Sequence, residues 1–411
     1  MIQKRPQKRN TPRGRFRCTE SPHVAVLVET SLQSGRDALF GIARFAREQR
    51  DKWSIYCEAS GVRDSLPAWL KKWRGHGIIA RVENREISEK FKRLGVPVVN
   101  ILGDYHHEDI PHVLADNQSI GRLAAEHLIE RGYRNFAFCG LKGIKWSESR
   151  YMSFLKRVKE SGCGCPHFYA VPPYGRQPWY SISQSPWEAA EDMLAKWLKK
   201  LPRPVGLMVC SDLRGQFVIE ACRRAGIMVP EQIAVIGADN DEPICELCNP
   251  PLSSVIPNHE QVGYQGAALL MRMMKGESLS SAMVVKVQPR GVSLRQSTDV
   301  LAMDDFAVAD ALRYIREYAI EGIGVQDVVS HVRMSRSVLQ RKFRHGLNRS
   351  IYDEIMQVRI TYAQRLLAES DLSIGLVAEK SGFGSQEYMT DVFRRKLGQP
   401  PARYRKSHRP Y

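Results

Sequence analysis

The carboxy-terminal quarter of the chain carries one pattern of apolar and polar positions twice. Ser335 to Asn348 (SRSVLQRKFRHGLN) and Ser385 to Gly398 (SQEYMTDVFRRKLG) align at a constant offset. Each copy begins with a residue that caps helices and ends with one that tolerates left-handed backbone. Apolar residues recur at four-residue intervals, as in Leu339, Phe343 and Leu347. Each copy therefore predicts a short helix with one buried stripe and a polar, basic outer face.

A second short amphipathic segment precedes each copy. Its apolar residues are Val325, Val328, Val329 and Val332 in the first case, and Ile374, Val377 and Ala378 in the second. The order helix, tight turn, helix therefore occurs twice. Two such units can place two helices in successive major-groove segments of one DNA duplex.

The residues between the two copies predict how they are joined. Ser350, with Asp353 three residues later, predicts the start of a helix over 351–369. Gly382 occupies the turn of the second unit, whereas Arg333 stands in the turn of the first. A non-glycine residue forced into left-handed backbone costs roughly 1 kcal/mol, so we expect the first unit to be distorted.

From His23 onward the pattern changes to short apolar runs that alternate with amphipathic stretches. The predicted strands are 23–28, 77–80, 96–102, 136–138, 206–210 and 234–237. The predicted helices are 36–47, 119–131, 187–200 and 213–225. Buried strands alternating with helices imply parallel sheets that bind ligands at the carboxyl ends of the strands. The predicted fold class is an α/β two-lobed domain followed by an all-α domain with two helix-turn-helix units.

The charge of the chain favours a polyanionic partner. Lys and Arg exceed Asp and Glu by 61 − 44 = +17. Residues 1–20 hold seven cations against Glu20 and lack apolar periodicity, which predicts a disordered tail. This tail is either a phosphate-contacting arm or a solvated segment with no specific role.

Apolar runs and cysteines indicate the compartment. No apolar run approaches the ~18 residues of a membrane span, and no signal peptide is recognisable. We therefore expect a soluble, cytoplasmic protein. Nine cysteines, an odd number, fit reduced thiols better than a disulfide framework. Cys163 with Cys165 and Cys245 with Cys248 lack the paired spacing of a zinc site. No cofactor or metal is predicted, although a metal- or redox-responsive regulator remains the alternative.

The carboxy-terminal repeat resembles a known DNA-binding domain. Asp305 to Arg405, including SGFGSQEYMTDVFRRKLGQPPARYR, is similar to the DNA-binding domain of AraC/XylS-type transcription regulators. A double-stranded DNA operator is thus the expected partner. The residues expected to contact it are Arg336, Ser337, Gln340, Arg341 and Arg344 in the first unit, and Gln386, Glu387, Thr390, Asp391 and Arg394 in the second. Arg can pair with guanine, Gln with adenine, and Glu or Asp with the cytosine amine.

The front of the chain resembles a different family. ADNQSIGRLAAEHLIERGYRNFAFCG, SDLRGQFVIEACRRAGIMVPEQIAVIGADND, LSSVIPNHEQVGYQGAALLMRMMKGE and RQST are similar to the effector domain of LacI/GalR-type repressors. That domain has a two-lobed, periplasmic-binding-protein-like fold. Here the DNA-binding part follows the effector domain, an order that resembles the xylose operon regulators. The resemblance implies a small sugar effector, xylose or a related pentose, and a homodimer.

Polar residues at strand ends are candidates for sugar binding, because sugars need paired hydrogen bonds and an aromatic wall. Asp212 follows GLMVC, and Asp239 and Asn240 follow AVIG. The LacI-like pattern adds Arg150 to these positions; Trp146 is the candidate wall. Gln33 and Arg36 would close from the other lobe. The aspartates could instead be helix caps, Arg150 a surface cation and Trp146 a core residue.

Two positions depart from the xylose-regulator pattern and leave the sugar open. Gly35 and Arg81 stand where that pattern has acidic residues. The predicted domains are a tail at 1–20, an effector domain at 21–298, a linker at 299–309 and a DNA-binding domain at 310–411. An enzyme is not expected, since the only cluster is the adjacent run His106, His107 and Glu108. A sugar-binding protein with another inducer also remains open.

Overall fold

The computed structural model describes residues 21–50, 52–58, 66–103, 110–164, 167–171, 187–277, 279, 283–299, 306–347, 349–370 and 372–408. The chain divides into two compact units, Met1–Asp299 and Val300–Tyr411. The predicted tail 1–20, the His106 to Glu108 run, Cys165, Asn348 and linker residues 300–305 lie outside the described residues. Residues 306–309, predicted as linker, are helical.

The amino-terminal unit contains twelve described strands and eight described α-helices. The strands are β1 (His23–Leu27), β2 (Ser54–Cys57), β3 (Gly77–Ala80), β4 (Val98–Ile101), β5 (His112–Ala115), β6 (Asn135–Leu141), β7 (His167–Val171), β8 (Val205–Val209), β9 (Ile233–Ala238), β10 (Ser253–Ile256), β11 (Val284–Val287) and β12 (Gly291–Ser293). The helices are α1 (Gln33–Glu48), α2 (Arg85–Leu94), α3 (Asn117–Glu130), α4 (Lys145–Glu160), α5 (Trp187–Lys199), α6 (Asp212–Arg224), α7 (Glu242–Leu247) and α8 (His259–Met274).

The strands form two six-stranded sheets, one in each lobe. The first-lobe sheet has the order β11-β5-β4-β3-β1-β2, and all its pairs are parallel. The second-lobe sheet has the order β12-β10-β9-β8-β6-β7, and only β12 runs antiparallel. β3, β4, β8 and β9 are buried throughout. Continuous burial explains why their sequences are uninterrupted apolar runs rather than alternating ones.

Helices cover both faces of the first-lobe sheet. α1 and α8 cover one face, with a core that includes Val26, Ile42, Val99 and Leu270. The two helices approach closely, because a Cβ on Gly41 would overlap the carbonyl oxygen of Glu260. The predicted two-lobed α/β fold is thereby confirmed for the front of the chain.

The chain passes between the lobes three times. The passages lie between β5 and α3, between β10 and α8, and between β11 and β12. Asp116 in the first passage caps α3 and accepts a 2.8 Å hydrogen bond from Gln288 in the third. Arg290 donates to Asn258 in the second passage at 3.1 Å. The three passages are therefore tied to one another by side-chain hydrogen bonds.

The carboxy-terminal unit contains seven described α-helices. They are α9 (Phe306–Tyr318), α10 (Val325–Val332), α11 (Arg336–Leu347), α12 (Ile351–Glu369), α13 (Ile374–Lys380), α14 (Gln386–Leu397) and α15 (Pro401–His408). The two helix-turn-helix pairs, α10–α11 and α13–α14, and the α12 helix between them form where the sequence predicts. Ser350 and Asp353 make the predicted capping box at the start of α12.

One hydrophobic core joins both helix-turn-helix pairs. Leu339 and Phe343 of α11 and Met389 and Phe393 of α14 are buried in it, as the four-residue stripe predicts. Buried Arg359 on α12 donates to the backbone carbonyls of Ala319 and Ile323, the segment that precedes α10. The two pairs therefore share a common scaffold rather than forming separate domains.

The two turns adopt the same backbone region despite their different residues. Arg333 has φ 53° and Gly382 has φ 73°, so both are left-handed. The non-glycine strain expected at Arg333 is therefore present. α10 and α11 are nevertheless regular helices on both sides of it, so the expected distortion is confined to the turn.

Candidate functional site

A cleft of about 350 Å³ is lined by residues from both lobes. Its wall is built at the carboxyl ends of the parallel strands, as expected for ligand sites in such sheets. Five of the predicted ligand-binding residues lie on this wall, namely Gln33, Trp146, Arg150, Asp212 and Asp239. The volume falls within the range of small-molecule sites.

Arg150 is the central hydrogen-bond donor of the second-lobe wall. It is 4% exposed and projects from α4. Its guanidinium donates to Asp239 Oδ1 at 3.0 Å, to Asn117 Oδ1 at 2.9 Å and to the carbonyl oxygen of Cys210. The guanidinium carbon lies 4.9 Å from the centre of the Trp146 ring, a cation–π distance. Arg150 thus fixes both a carboxylate and the aromatic wall.

Asp239 is an ionised acceptor in this arrangement. Burial raises the pKa of Asp239, but the Arg150 guanidinium and the His259 imidazole together outweigh it and hold the pKa below its ordinary value. About a quarter of the side chain remains exposed to the cleft region. A carboxylate that is charged, oriented and accessible can accept hydrogen bonds from ligand hydroxyls.

Asp212 is held differently from Asp239. It is 1% exposed, accepts a 2.7 Å hydrogen bond from the Ser254 hydroxyl, and accepts a 2.8 Å bond from the Asp241 backbone N–H. Burial and the nearby Asp239 carboxylate raise its pKa well above the ordinary value. A Cβ on Gly237 would lie 2.1 Å from Asp212 Oδ1, so only glycine fits there. Asp212 therefore organises the wall as well as facing the cleft.

The loop after β9 is strained and hydrogen-bonded. Asp239 and Asn240 have φ values of 121° and 51°, which non-glycine residues adopt rarely. The backbone N–H groups of residues 239, 240 and 241 donate to Val255, Ser254 and Asp212 respectively. Strain of this kind persists where the surroundings over-determine it, and it is frequent at functional sites.

Arg36 and Asn240 lie beside the cleft, not on its wall. Arg36 donates to the Thr30 carbonyl and to Gln33 Oε1, both at 2.9 Å. Its guanidinium is 4.0 Å from the Asp241 carboxylate. Asn240 Oδ1 accepts a 3.1 Å bond from Arg295. Both residues therefore position neighbours of the cleft in this structure.

The first-lobe wall contains a buried ion pair. Arg81, on the wall, donates to Glu29 at 2.8 Å, and the Glu29 side chain is 2% exposed. Gly35 packs against the Glu29 backbone, because a Cβ there would lie 1.7 Å from its carbonyl oxygen. Glu29 was not predicted from the sequence, although it directly follows the apolar run 23–28 and so lies at a strand end, as the predicted aspartates do.

His259 is a residue of the cleft wall that the sequence did not predict. It is 5% exposed, lies on the cleft wall, and begins α8 after its N-cap residue Asn258. Its Nε2 atom lies 3.9 Å from Asp239 Oδ1. The signal that could have revealed it is its position three residues after the end of β10, at the same edge as the other strand-end residues.

The predicted DNA-contacting residues lie on two exposed helix faces. Arg336, Ser337, Arg341 and Arg344 on α11 are exposed, and Gln340 is half-buried. On α14, Gln386, Glu387, Asp391 and Arg394 are exposed, and Thr390 is half-buried. The Thr390 hydroxyl donates to the Gln386 carbonyl within its own helix at 2.8 Å. Each helix therefore presents a polar face opposite its buried stripe.

Four buried thiols of the amino-terminal unit are poorly suited to metal or redox chemistry. Burial raises the pKa of Cys139, Cys222 and Cys248 to about 12. It also raises the pKa of Cys245. The reactive and metal-binding form is the thiolate, which these environments suppress. Within the described ranges, no three His, Cys, Asp or Glu side chains are grouped as a metal site would require.

Comparison with known proteins defines the class of this chain. Residues 125–298 match the periplasmic binding protein-like domain, residues 328–407 match a helix-turn-helix domain, and residues 23–118 match the XylR N-terminal domain. Across the described residues, no helix has the length and apolar character needed to cross a bilayer. The chain is a DNA-binding transcription regulator with a periplasmic-binding-protein-like sensor domain.

Individual relatives define the family. The chain is 30% identical over 396 residues to the xylose operon regulatory protein of Escherichia coli K12, covering 94% of this chain and 97% of that protein. It is 29% identical to the Haemophilus influenzae protein of the same description, covering 93% and 97%. The solved structure of the xylose-binding transcription activator XylR matches with a TM-score of 0.79 at 29% identity, covering 95% of this chain and all of that one. The chain belongs to the xylose operon regulatory protein family.

Proposed function

We propose that this chain is a cytoplasmic regulator whose binding to operator DNA is controlled by xylose or a related pentose in the cleft. The relatives described as xylose operon regulatory proteins support the sugar. The observation that carries the proposal is the Arg150, Asp239 and Trp146 group, which joins an oriented carboxylate to an aromatic face. That combination suits a ligand with adjacent hydroxyls and apolar C–H groups.

The proposal assigns ligand contact to the residues on the wall. Gln33, Trp146, Arg150, Asp212 and Asp239 would face the sugar, and Arg36 and Asn240 would contribute on closure of the lobes. A sugar can shift the balance between open and closed lobes only by binding the closed form more tightly. Because residues from both lobes line the cleft, a sugar bound there can contact both lobes when they close.

Arg295 connects the loop beside the cleft to the last residues of the amino-terminal unit through hydrogen bonds. It donates to Asn240 at 3.1 Å, to Glu246 at 3.0 Å and to the Leu252 carbonyl at 3.1 Å. Thr298, three residues later, is buried against β10 through Ser253. Movement of the loop after β9 would thus act on the segment that leads into the following unit.

The proposal also assigns DNA contact to the exposed faces of α11 and α14. Their side chains can read bases or contact phosphates. A homodimer would supply two such pairs of helices, since paired half-sites are the usual arrangement for helix-turn-helix proteins. Equilibrium sedimentation of the purified chain would test that stoichiometry.

A sugar screen tests the sensor half of the proposal. Thermal unfolding of the purified chain should shift upward with D-xylose or a related pentose, because a ligand at about 100 times its Kd stabilises by about 2.7 kcal/mol. Asp239→Ala should remove the shift, whereas Arg122→Ala, at an exposed helix position, should keep it. The absence of a shift with every pentose and hexose would refute sugar sensing.

A gel shift tests the coupling. Operator DNA affinity should change on adding the sugar that gave the thermal shift. Arg295→Met should retain sugar binding and lose most of this change. Identical DNA affinity with and without sugar would refute control by the cleft, even if the sugar binds.

A further inference from the structure

One buried side chain on the cleft wall has unused hydrogen-bonding capacity. Both ring nitrogens of His259 lack a hydrogen-bond partner among the residues that the structure describes. The residue is 5% exposed and its side chain lines the cleft. Buried polar groups in proteins are almost always paired, so a site of this kind indicates a partner that binds from the cleft.

Three other polar side chains of this wall already have partners within the protein. Arg150 donates to three acceptors, and Asp212 accepts from the Ser254 hydroxyl and the Asp241 backbone. Asp239 accepts from Arg150 through Oδ1. Among the described residues, the two ring nitrogens of His259 therefore remain available to a ligand, one as a donor and one as an acceptor.

The separation of His259 from Asp239 suggests what the ligand offers. His259 Nε2 and Asp239 Oδ1 are 3.9 Å apart, too far for a direct hydrogen bond. An oxygen placed about 2.8 Å from both atoms would subtend an angle of roughly 90°, which a hydroxyl can accommodate. It would accept from the imidazole N–H and donate to the carboxylate, so its proton lies toward Asp239.

We infer that His259 and Asp239 jointly hold one hydroxyl of the ligand, and that His259 is a specificity-determining residue of the cleft. The inference rests on the proposed sugar-binding function. It requires a hydroxyl at one ring position, since an ether oxygen or a methylene group cannot serve both partners. A sugar that lacks this hydroxyl would leave the His259 imidazole without a partner and would remove one hydrogen bond to Asp239.

Calorimetric titration of the full chain with D-xylose and a set of its monodeoxy analogues tests this inference. His259→Ala should weaken D-xylose binding about 10- to 50-fold. One deoxy analogue should bind the wild-type chain with an affinity lowered by a similar factor relative to D-xylose. His259→Ala should not lower the affinity for that analogue further. His259→Gln, which retains a donor and an acceptor, should recover part of the affinity. His331→Ala, a histidine change in the other unit, should alter none of these values.

Several results would overturn the inference. D-xylose binding by His259→Ala at wild-type affinity would do so, as would full additivity of the mutation with every deoxy analogue. If His259→Ala does not fold, His259→Phe removes the same hydrogen-bonding groups and can replace it. Independently of either variant, the ring ¹⁵N chemical shifts of His259 in the wild-type chain must change when D-xylose is added. Failure of the wild-type chain to bind any pentose would refute the proposed function itself, and this inference with it.

Discussion

Replacing Arg150 should destabilise the amino-terminal unit even without ligand. The side chain is 4% exposed and its guanidinium is 3.0 Å from Asp239 Oδ1. At that distance, with an effective dielectric constant of about 20, the attraction is about 5 kcal/mol. Desolvation of both charges offsets much of it, but Arg150→Met removes one partner and leaves the other charge uncompensated. Breaking a buried pair in this way costs about 3–5 kcal/mol.

The cost can be assigned to the pair by a double-mutant cycle. Asp239→Asn alone should cost less than Arg150→Met, because Arg150 keeps its bonds to Asn117 and to the Cys210 carbonyl. The double variant should be more stable than the sum of the single changes implies, with a coupling of about 2 kcal/mol or more. Arg122→Met, in an exposed pair with Glu126, is the matched control and should leave the stability close to that of the wild type.

Tryptophan fluorescence isolates the relevant unit during urea unfolding. All seven tryptophans of the chain precede Asp299, so their emission follows the amino-terminal unit alone. If Arg150→Met costs no more stability than Arg122→Met, or if the coupling energy is below about 0.5 kcal/mol, the buried pair does not stabilise the unit.

Three further predictions concern other parts of the chain. Arg333→Gly should stabilise the carboxy-terminal unit by about 0.5–1 kcal/mol, because glycine removes left-handed strain. Urea unfolding followed by far-UV ellipticity measures this change, and tryptophan emission serves as the internal reference for the other unit. A lower stability of the carboxy-terminal unit in Arg333→Gly would contradict the prediction. Burial, with Arg131 beside it, lowers the pKa of His127 from 6.5 to about 3. His127 therefore contributes stability that is present above pH 6.5 and lost as pH falls toward 3; His127→Gln should flatten urea-unfolding stability over that window, and an unchanged pH profile would contradict this. Arg341→Ala should cost about 1–3 kcal/mol in DNA binding and alter sequence preference in a randomised-operator selection; uniform weakening would instead place Arg341 against phosphate.

Local signals made much of the fold predictable. The four-residue stripe, the Ser350 and Asp353 capping pair and the fully buried run of β3 each depend on residues that are close in sequence. The predicted bounds of β3 and α12 agree with the structure. Such features do not require knowledge of the neighbouring elements.

Elements whose stability comes from distant partners were missed. β10 contains Ser253 and Ser254, both fully buried, and their polarity conceals the strand in the sequence. Ser254 is buried at low cost because its hydroxyl donates to Asp212, 42 residues away. β2 is an edge strand with three exposed residues, and among the described strands it pairs with β1 alone. Neither strand displays an apolar run or a clear alternation.

The same limit applies to the two cleft aspartates, which the sequence treats alike. Asp212 and Asp239 both follow buried strands, yet burial and the second carboxylate raise the pKa of Asp212, while Arg150 lowers that of Asp239. The difference depends on Arg150 and His259, which reach Asp239 from other elements, whereas the Ser254 hydroxyl only partly offsets the effect of burial on Asp212. Both carboxylate oxygens of Asp212 accept hydrogen bonds from the protein, whereas the Asp239 side chain is partly exposed. Recognition of a ligand hydroxyl should therefore depend more directly on Asp239. Asp212 should act mainly by holding the strained loop in which Asp239 lies.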